Sequence, residues 1–312
     1  MSTGESMRIL LLGANGQVGH ELSRALAPLG ELVIATRKGE LADGSRCLAA
    51  DLADAASLVH ALDTARANLI VNAAAYTAVD RAEDEPELAA RINHRAPGEI
   101  GMWAAAHGAR VVHYSTDYVF DGNAMRAYRE DDATAPIGVY GRSKLAGEQA
   151  LAASGAAHLI FRTAWVYAAH GHNFLRTMLR LAAERDELRV VADQVGAPTP
   201  ARWIADTTAS VLTRANSDPA NAGVFNLVAD GQCSWYDFAS AIVEGAQQRG
   251  LIARAPRVVP IATADFPTRA RRPAWSVLDG SRLENTFGLQ LADWHAGLDQ
   301  VLDELAAATG PA

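Results

Sequence analysis

The amino-acid sequence predicts an α/β fold built on a doubly wound parallel sheet, and two observations carry this prediction. Short, wholly apolar runs alternate with segments of helical periodicity in the first half of the chain, as expected for strands buried on both faces of a sheet. The first apolar run, at residues 9–12, is followed by Gly13, Gly16 and Gly19, the spacing of a tight strand-to-helix turn. The predicted fold is therefore a Rossmann-type sheet joined to a smaller C-terminal α/β lobe.

The alternation of strands and helices continues along the first half of the chain. Apolar runs predict further strands at residues 31–35, 47–52, 69–75 and 110–114. Helical periodicity predicts helices at residues 17–29, 55–67 and 84–107. Strands that alternate with helices favour parallel pairing with right-handed crossovers.

The second half of the chain predicts a second lobe that is interleaved with the first. Its predicted elements are a sixth strand at residues 161–164, helices at 173–184 and 235–248, and a strand at 222–228. We expect this last strand to return to the first sheet. The expected division is a first domain over residues 7–165 and a second lobe over residues 166–312.

Composition and charge exclude several classes of protein. The 312 residues carry a net charge of −8 without a basic stripe, which argues against nucleic acid as a partner. No apolar run approaches the roughly 20 residues that span a bilayer, and residues 1–6 do not resemble a signal peptide. The two cysteines, Cys47 and Cys233, do not indicate a disulfide framework. We expect a cytoplasmic protein with a short, frayed extension before Met7.

The glycine-rich turn is suited to binding a dinucleotide. Gly13 permits the tight turn, Gly16 lets the backbone approach a pyrophosphate, and Gly19 lets the following helix lie close to the strand. Free N–H groups at the start of that helix would face the phosphates. An ordinary strand-to-helix turn is the alternative.

The residues after the second predicted strand indicate which dinucleotide is bound. An NAD site carries an acidic residue there, whereas this chain has Thr36, Arg37 and Lys38. The two cations would attract a 2′-phosphate, which favours NADPH and leaves NADH as the alternative; two solvated loop charges would also explain them. Asp51 ends the third predicted strand, where it could meet an adenine amino group, and the small residues at 73–75 leave room for a flat ligand.

A candidate catalytic pair follows the fifth predicted strand. Thr116 and Asp117 come at its carboxyl end, where ligands bind in open α/β sheets. Tyr140 and Lys144 are four residues apart on a predicted helix and therefore share a face. A lysine ammonium, with the positive ring of an oxidised nicotinamide, would lower the tyrosine pKa from about 10 toward the working pH. A surface Tyr–Lys pair without chemistry is the alternative.

Together these features resemble the extended short-chain dehydrogenases/reductases: the glycine turn, the Tyr-x-x-x-Lys helix, and a threonine 24 residues before the tyrosine. Within that group, five stretches resemble the dTDP-4-dehydrorhamnose reductases, and the likeness spans nearly the whole chain. The stretches lie at residues 72–80, 112–120, 139–148, 161–167 and 193–199.

The resemblance implies hydride transfer from NADPH to the C4 keto group of dTDP-4-dehydro-β-L-rhamnose, giving dTDP-β-L-rhamnose. Carried over to this sequence, Tyr140 would donate the proton, Lys144 would tune Tyr140 and hold the nicotinamide ribose, and Thr116 would bind the carbonyl oxygen. The remaining residues expected to bind the substrate are Asp117, Trp165, Asn173 and Arg272. The arginine would hold the diphosphate.

The expected cofactor site makes residues 7–165 an NADP(H)-binding domain and residues 166–312 mainly a substrate-binding lobe. The residues expected to bind the cofactor are Gly13, Asn15, Gly16, Gln17, Val18, Gly19, Thr36, Arg37, Lys38, Asp51, Leu52, Ala73, Ala74, Ala75, Tyr140 and Lys144.

A metal ion and a homodimer are further implications of the resemblance. Some related proteins form dimers that hold Mg²⁺ through acidic side chains, and Glu21 matches one such position, although the helix dipole also explains an acidic residue there. His170 and His172 have no acidic partner nearby in the sequence and are expected to be loop residues. Two departures concern specificity: Tyr76 stands where some members carry His, and Thr36 stands where NAD-using members carry Asp.

Two other functions remain open from the sequence. One is a non-catalytic NADP(H)-binding subunit, as in the regulatory subunit of methionine adenosyltransferase, which shares this fold. The other is an epimerase or dehydratase acting on another nucleotide sugar. A dehydratase usually needs an acid and base pair beside the threonine; Asp117 supplies one carboxylate, but Tyr118 does not supply a second. Oligomeric state, metal dependence, the base recognised and regulation cannot be read from the sequence.

Overall fold

Strands and helices alternate along the first half of the chain, as predicted. The computed structural model describes residues 7–214 and 222–309, and the extension predicted before Met7 lies outside the described residues. The strands are β1 (Arg8–Leu12), β2 (Glu31–Thr36), β3 (Leu48–Ala49), β4 (Leu69–Asn72), β5 (Arg110–Thr116), β6 (Ala157–Thr163), β7 (Val166–Tyr167), β8 (Glu187–Val191), β9 (Val195–Gly196), β10 (Thr199–Pro200), β11 (Gly223–Asn226), β12 (Cys233–Ser234) and β13 (Arg257–Ile261). The α-helices are α1 (Gln17–Leu26), α2 (Ala55–Ala65), α3 (Val79–Ala82), α4 (Pro86–Ala90), α5 (Ala96–His107), α6 (Val139–Ala153), α7 (Phe174–Glu184), α8 (Ala201–Arg214), α9 (Trp235–Gln248), α10 (Ser281–Phe287) and α11 (Trp294–Thr309).

Seven parallel strands form the central sheet in the order β11-β6-β5-β4-β1-β2-β3. The direction of winding reverses at β1, which lies between β4 and β2. In open α/β sheets this reversal leaves a crevice outside the carboxyl ends of the strands, where ligands bind. The predicted Rossmann-type fold is confirmed, and it places the glycine-rich turn at that crevice.

The apolar residues of β1 are fully buried because helices cover both faces of the sheet. Ile9 and Leu11 pack with side chains of α1 and α8 on one face, while Leu10 and Leu12 pack with α2 and α5 on the other. This two-sided burial explains why the run is uniformly apolar rather than alternating. At about 25 cal/mol per Å² of buried apolar surface, these layers are the main source of folding free energy.

The helix predicted at residues 84–107 starts later and is not regular. It begins at Pro86, and residues Arg91–Arg95 form one π-helical turn between α4 and α5. Pro97 has no backbone N–H to donate to the Asn93 carbonyl, which accounts for a wider turn at this point. The buried Asn93 side chain bonds the backbone N–H and carbonyl of Tyr76, which fixes the loop after β4.

Several predicted boundaries shift by a few residues. The first helix ends at Leu26 and is followed by a 3₁₀ turn, Ala27–Leu29. β4 ends at Asn72, so that residues 73–75 leave the sheet and border the crevice. β5 extends to Thr116, which makes this threonine the last residue of the strand.

The second half of the chain contributes to both lobes. β11 pairs with β6 in the central sheet, as predicted for residues 222–228. Three two-stranded sheets, β7–β10, β8–β13 and β9–β12, lie outside the central sheet, and helices α7, α9 and α11 share a separate core. The division at residues 165 and 166 stays a prediction. Among the described residues, no helix combines the length and apolar character needed to cross a membrane.

Candidate active site

A cleft of about 840 Å³ opens at the crevice predicted by the sheet topology. All but one of the residues expected to bind the cofactor line it, and the exception is Gly19. Sequence reasoning did not select eleven other lining residues that the structure brings here: Glu40, Leu41, Ala50, Thr77, Ile92, Tyr114, Ser115, Thr163, Val166, Gly171 and His172. The last two come from the loop that follows β7, so the second half of the chain closes one side of the cleft.

The glycine turn has the close backbone contacts that its sequence predicts. Gly13 has φ +86°, and a Cβ there would lie 2.7 Å from the backbone N of Ala74. A Cβ on Gly19 would lie 2.1 Å from the Gly13 carbonyl oxygen, so the absence of a side chain at Gly19 lets α1 pack directly against the turn. The turn thus keeps bare backbone and a helix N-terminus at the cleft, a combination that fits a dinucleotide pyrophosphate.

Two exposed cations mark one end of the cleft. Arg37 and Lys38 follow β2 and line the cleft, and neither forms an ion pair within residues 7–214 and 222–309. The Thr36 hydroxyl is buried and bonded to the backbone of Glu40, which fixes the loop that carries the two cations. The Asp51 carboxylate lines the same end and accepts a bond from the Ala53 N–H.

Lys144 is buried at the opposite end, between α6 and β5. Its ammonium donates a hydrogen bond to the Tyr114 carbonyl at 2.5 Å and lies 3.3 Å from Nε2 of His113. The His113 ring also contacts the Asn72 amide at 3.1 Å. Burial lowers the pKa of Lys144 to about 8, against a smaller raising effect of Glu148. Burial and the lysine charge hold the pKa of His113 well below its usual range.

Tyr140 lies in the first turn of α6, one turn before Lys144. Burial raises the pKa of Tyr140 to about 12, although a hydrogen bond with Thr116 acts in the opposite direction. The lowering predicted from the sequence requires a bound oxidised nicotinamide beside Lys144 and stays a prediction. The protein's own groups raise the pKa, because burial outweighs the hydrogen bond. A phenol with this pKa is protonated at neutral pH, the form that can donate a proton.

Unsatisfied polar atoms surround Thr116 at the ends of β5 and β6. The Thr116 hydroxyl donates to the Asp117 carboxylate at 2.9 Å. The second carboxylate oxygen of Asp117 and the hydroxyls of Ser115 and Thr163 are buried, and none has a partner among the described residues. Burial raises the pKa of Asp117 to about 6, although the nearby hydroxyls of Ser276 and Thr116 act in the opposite direction. Unpaired buried groups of this kind are unfavourable unless a ligand bonds them.

Two residues expected to bind substrate are held by contacts of their own. Trp165 has φ +48° and stacks on Trp235 with the ring centroids 3.5 Å apart. The Asn173 amide donates to Gln17 Oε1 and to the carbonyls of Ala168 and His170, and its oxygen caps α7. Asn173 therefore joins the loop after β7 to α1. Substrate contact by either residue stays a prediction.

The predicted diphosphate ligand, Arg272, forms an ion pair inside the protein. Its Nη2 lies 2.7 Å from Oδ2 of Asp80 at α3. Arg269 of the same segment pairs with Asp84. The segment that carries the arginines therefore lies against α3, and the role of Arg272 toward a substrate stays a prediction.

The surroundings of Glu21 do not fit a magnesium ion. His170 lies with Nε2 3.0 Å from one carboxylate oxygen of Glu21, and Arg24 and Arg202 lie 3.7 and 3.8 Å from the other. The His170 hydrogen bond is the main reason that the pKa of Glu21 is lowered. Mg²⁺ needs several oxygen ligands, whereas here two guanidinium groups neutralise one carboxylate. His170 is a loop residue, as predicted, but no pattern in the sequence indicated its contact with Glu21.

Comparison with known proteins assigns the family. The family model described as RmlD substrate binding domain matches residues 7–307. The dTDP-4-dehydrorhamnose reductase of Escherichia coli (strain K12) is 46% identical over 303 residues, covering 97% of this chain and 99% of that protein. The protein of the same name from Burkholderia thailandensis is 48% identical over 296 residues, covering 92% of this chain and 95% of its own.

A solved structure agrees with the sequence relatives. The dTDP-4-dehydrorhamnose reductase of Bacillus anthracis, in complex with NADP, is 33% identical with a TM-score of 0.84, over 96% of this chain and all of that chain (100%). The glycine turn, the Tyr140–Lys144 helix and the near full-length matches agree with one another. The chain belongs to the dTDP-4-dehydrorhamnose reductase family of oxidoreductases.

Proposed function

We propose that this protein uses NADPH to reduce the C4 keto group of dTDP-4-dehydro-β-L-rhamnose, giving dTDP-β-L-rhamnose. The observation that carries the proposal is the grouping of Thr116, Tyr140 and Lys144 around the carboxyl end of β5, beside the cleft with the glycine turn. Family membership supplies the substrate, and these residues supply a proton donor and an oxygen-binding hydroxyl where the reduction needs them.

Each part of the cleft has a separate task in this proposal. The bound cofactor supplies the hydride. The turn at Gly13 holds the pyrophosphate, and Arg37 and Lys38 bind the 2′-phosphate by charge-assisted hydrogen bonds. Lys144 holds the nicotinamide ribose, since it lines the cleft from α6 with its ammonium beside the Tyr114 carbonyl of β5.

The chemical step needs a proton on the oxygen that becomes the C4 alcohol. Tyr140 donates it from the phenol, which is protonated because burial raises its pKa to about 12. Thr116 binds the same oxygen and stabilises the negative charge that develops there. Asp117 contacts the sugar, and its unpaired carboxylate oxygen is available for a sugar hydroxyl.

The two alternative functions are less well supported. A non-catalytic NADP(H)-binding subunit does not need a threonine, a tyrosine and a lysine with these contacts at the end of β5. An epimerase or dehydratase uses the same Tyr and Lys, but the relatives that match nearly the whole chain at 46–48% identity carry the name of a reductase.

The test follows NADPH absorbance at 340 nm when the purified protein meets dTDP-4-dehydro-β-L-rhamnose, with NADH in parallel. We expect steady oxidation, faster with NADPH. Tyr140→Phe should reduce turnover by roughly 10²- to 10⁴-fold while NADPH binding is retained. Near wild-type turnover by Tyr140→Phe would contradict the proton-donor role, and tight NADPH binding without any turnover would favour a binding subunit.

Two finer expectations from the sequence complete the proposal. We propose a cytoplasmic location, consistent with two free cysteines, and a homodimer in solution. Light scattering after gel filtration measures the mass of the assembly, and fractionation of the source cells locates it. A monomer at micromolar concentration would contradict the dimer.

A further inference from the structure

The segment around Arg272 is bound to α3 and to the turn that follows it by three polar contacts. Asp80 accepts a hydrogen bond from Nη2 of Arg272 at 2.7 Å and another from the Ala270 N–H at 3.0 Å. Arg269 pairs with Asp84 at the outer edge, where both side chains are mostly exposed. One carboxylate, that of Asp80, therefore holds both the backbone of the segment and the guanidinium that it carries.

The bonding of Arg272 in this arrangement is incomplete. A guanidinium offers five N–H donors and binds carboxylates and phosphates best through two parallel bonds. Asp80 contacts one nitrogen, and Nε of Arg272 is buried with no partner among the described residues. The pair thus leaves a buried donor unsatisfied, and an anion with more oxygen atoms would satisfy it.

Arg272 and Asp80 lie within electrostatic reach of the catalytic end of the cleft. Both charges act on the pKa of Tyr118, which Arg272 lowers and Asp80 raises, while burial is the largest effect. Tyr118 packs edge-on against Tyr140, with ring centroids 5.6 Å apart. The Ser276 hydroxyl, four residues after Arg272, lies close enough to the Asp117 carboxylate to lower its pKa. The segment therefore reaches from the guanidinium to the proposed sugar site.

We propose that Asp80 occupies the anion-binding side of Arg272 in the free protein and is displaced by the diphosphate of the nucleotide sugar, so that Asp80 sets substrate affinity. The inference rests on the proposed function, which assigns a nucleoside diphosphate sugar as substrate. A diphosphate diester carries two negative charges and several oxygens, so it can replace a single carboxylate and also bond Nε. Asp80 competes for the guanidinium and repels the incoming diphosphate, and both effects weaken substrate binding.

The Asp80→Asn variant distinguishes two roles of Asp80: competing with the diphosphate for Arg272, and holding Arg272 in position for binding. Asparagine keeps an oxygen for the Ala270 N–H but removes the charge that repels the diphosphate and competes for the guanidinium. We expect dTDP, the probe, to bind about tenfold more tightly, which corresponds to about 1.4 kcal/mol. We also expect a lower KM for the sugar nucleotide with no increase in kcat, since the same charge acts on substrate and product.

Two further variants provide matched controls, with dTDP binding measured by calorimetry. Asp84→Asn removes the neighbouring acidic residue, whose pair with Arg269 is exposed, and should leave the affinity for dTDP within about twofold. Asp80→Ser removes the charge and keeps a hydroxyl oxygen, so it should reproduce the tighter binding. The Asp80 side chain is 44% exposed, so that both variants are expected to fold, and thermal unfolding checks this.

The outcomes distinguish the inference from the proposed function. Weaker dTDP binding by Asp80→Asn and Asp80→Ser would show that Asp80 supports Arg272, and unchanged binding would show that the pair does not face the diphosphate; either result overturns the inference. In both of these cases, reduction of the keto sugar by the wild-type protein would still support the proposed function. A wild-type protein that binds no dTDP overturns both.

Discussion

Lys144 donates a hydrogen bond to the Tyr114 carbonyl at 2.5 Å, which joins helix α6 to the carboxyl end of strand β5, beside the cleft. The neutral His113 ring lies 3.3 Å away on the same strand. The lysine is thus held in a buried site before any ligand binds. The cost is that its charged form is disfavoured, and burial lowers its pKa to about 8.

The Lys144 pKa can be measured directly because the sequence contains only two lysines, Lys38 and Lys144. In a protein labelled with carbon-13 lysine, the Cε signal of Lys144 should titrate near pH 8. The variants Lys38→Met and Lys144→Met assign the two signals. A Lys144 signal that titrates near the ordinary lysine pKa of about 10.4 would contradict the effect of burial.

The same shift has a consequence for stability. The Lys144 pKa is lower in the folded than in the unfolded protein, so the unfolded state binds more protons between about pH 8 and 10. This residue therefore makes the free energy of unfolding rise with pH across that range. Lys144→Met should reduce this slope, as measured by urea unfolding at several pH values, whereas Lys38→Met should not.

Coenzyme preference should depend on the two cations after β2. Replacing Arg37 and Lys38 together with alanine should weaken NADPH binding about 10- to 100-fold, because two charge-assisted hydrogen bonds to the 2′-phosphate are lost. NADH, which lacks that phosphate, should be affected about twofold or less. Arg180→Ala, which removes an exposed arginine paired with Glu184, serves as the control. Equal losses for both coenzymes would show that Arg37 and Lys38 do not contact the 2′-phosphate.

The cofactor side of the molecule could be predicted from the sequence because its signals are local. The glycine spacing, the apolar run of β1 and the cations after β2 each lie within a few residues of one another. The sheet order then follows from parallel strands joined by right-handed crossovers. Even His113 had a local signal, a polar ring directly after the buried residues Val111 and Val112, which sequence reasoning passed over.

The substrate side could be predicted only by residue type. Arg272 and Asp80 are 192 residues apart in sequence, and His170 and Glu21 are 149 apart. No periodicity connects such pairs, and their contact depends on how the second half of the chain packs on the first. The effect of burial on the pKa of Tyr140 could not be predicted for a related reason, since the extent of burial is a property of the assembled site.

The glycine turn allows backbone strain to be separated from close packing. Gly13 and Gly44 have nearly the same φ, +86° and +84°, but a Cβ would meet backbone at Gly13 and nothing within 4 Å at Gly44. Gly44→Ala should lower the free energy of unfolding by about 1–2 kcal/mol, the cost of the left-handed conformation alone. Gly13→Ala should cost more and also weaken NADPH binding. Equal destabilisation in chemical unfolding, with normal NADPH binding by both, would contradict the close-approach role of Gly13.

A final prediction concerns Glu21, where the family resemblance suggested Mg²⁺. Arg202 pairs with Glu304 of α11 and lies 3.8 Å from Glu21, so that its guanidinium stands between two carboxylates. A positive side chain thus supplies the charge that a divalent cation would bring. We expect thermal unfolding and turnover of the wild-type protein to be unchanged by chelation with EDTA or by millimolar Mg²⁺.

Arg202→Gln should lower the free energy of unfolding by about 1–3 kcal/mol, since the largely buried Glu21 carboxylate loses one of its compensating charges. The matched control is Arg249→Gln, which also removes an arginine between two carboxylates of α11, Asp299 and Asp303, but these are 62% and 68% exposed. Water screens these two exposed carboxylates, so Arg249→Gln should lower the free energy of unfolding by about 1 kcal/mol or less. A wild-type unfolding temperature that falls on chelation and recovers with Mg²⁺ would contradict the arrangement, because it would require a cation where Arg202 stands.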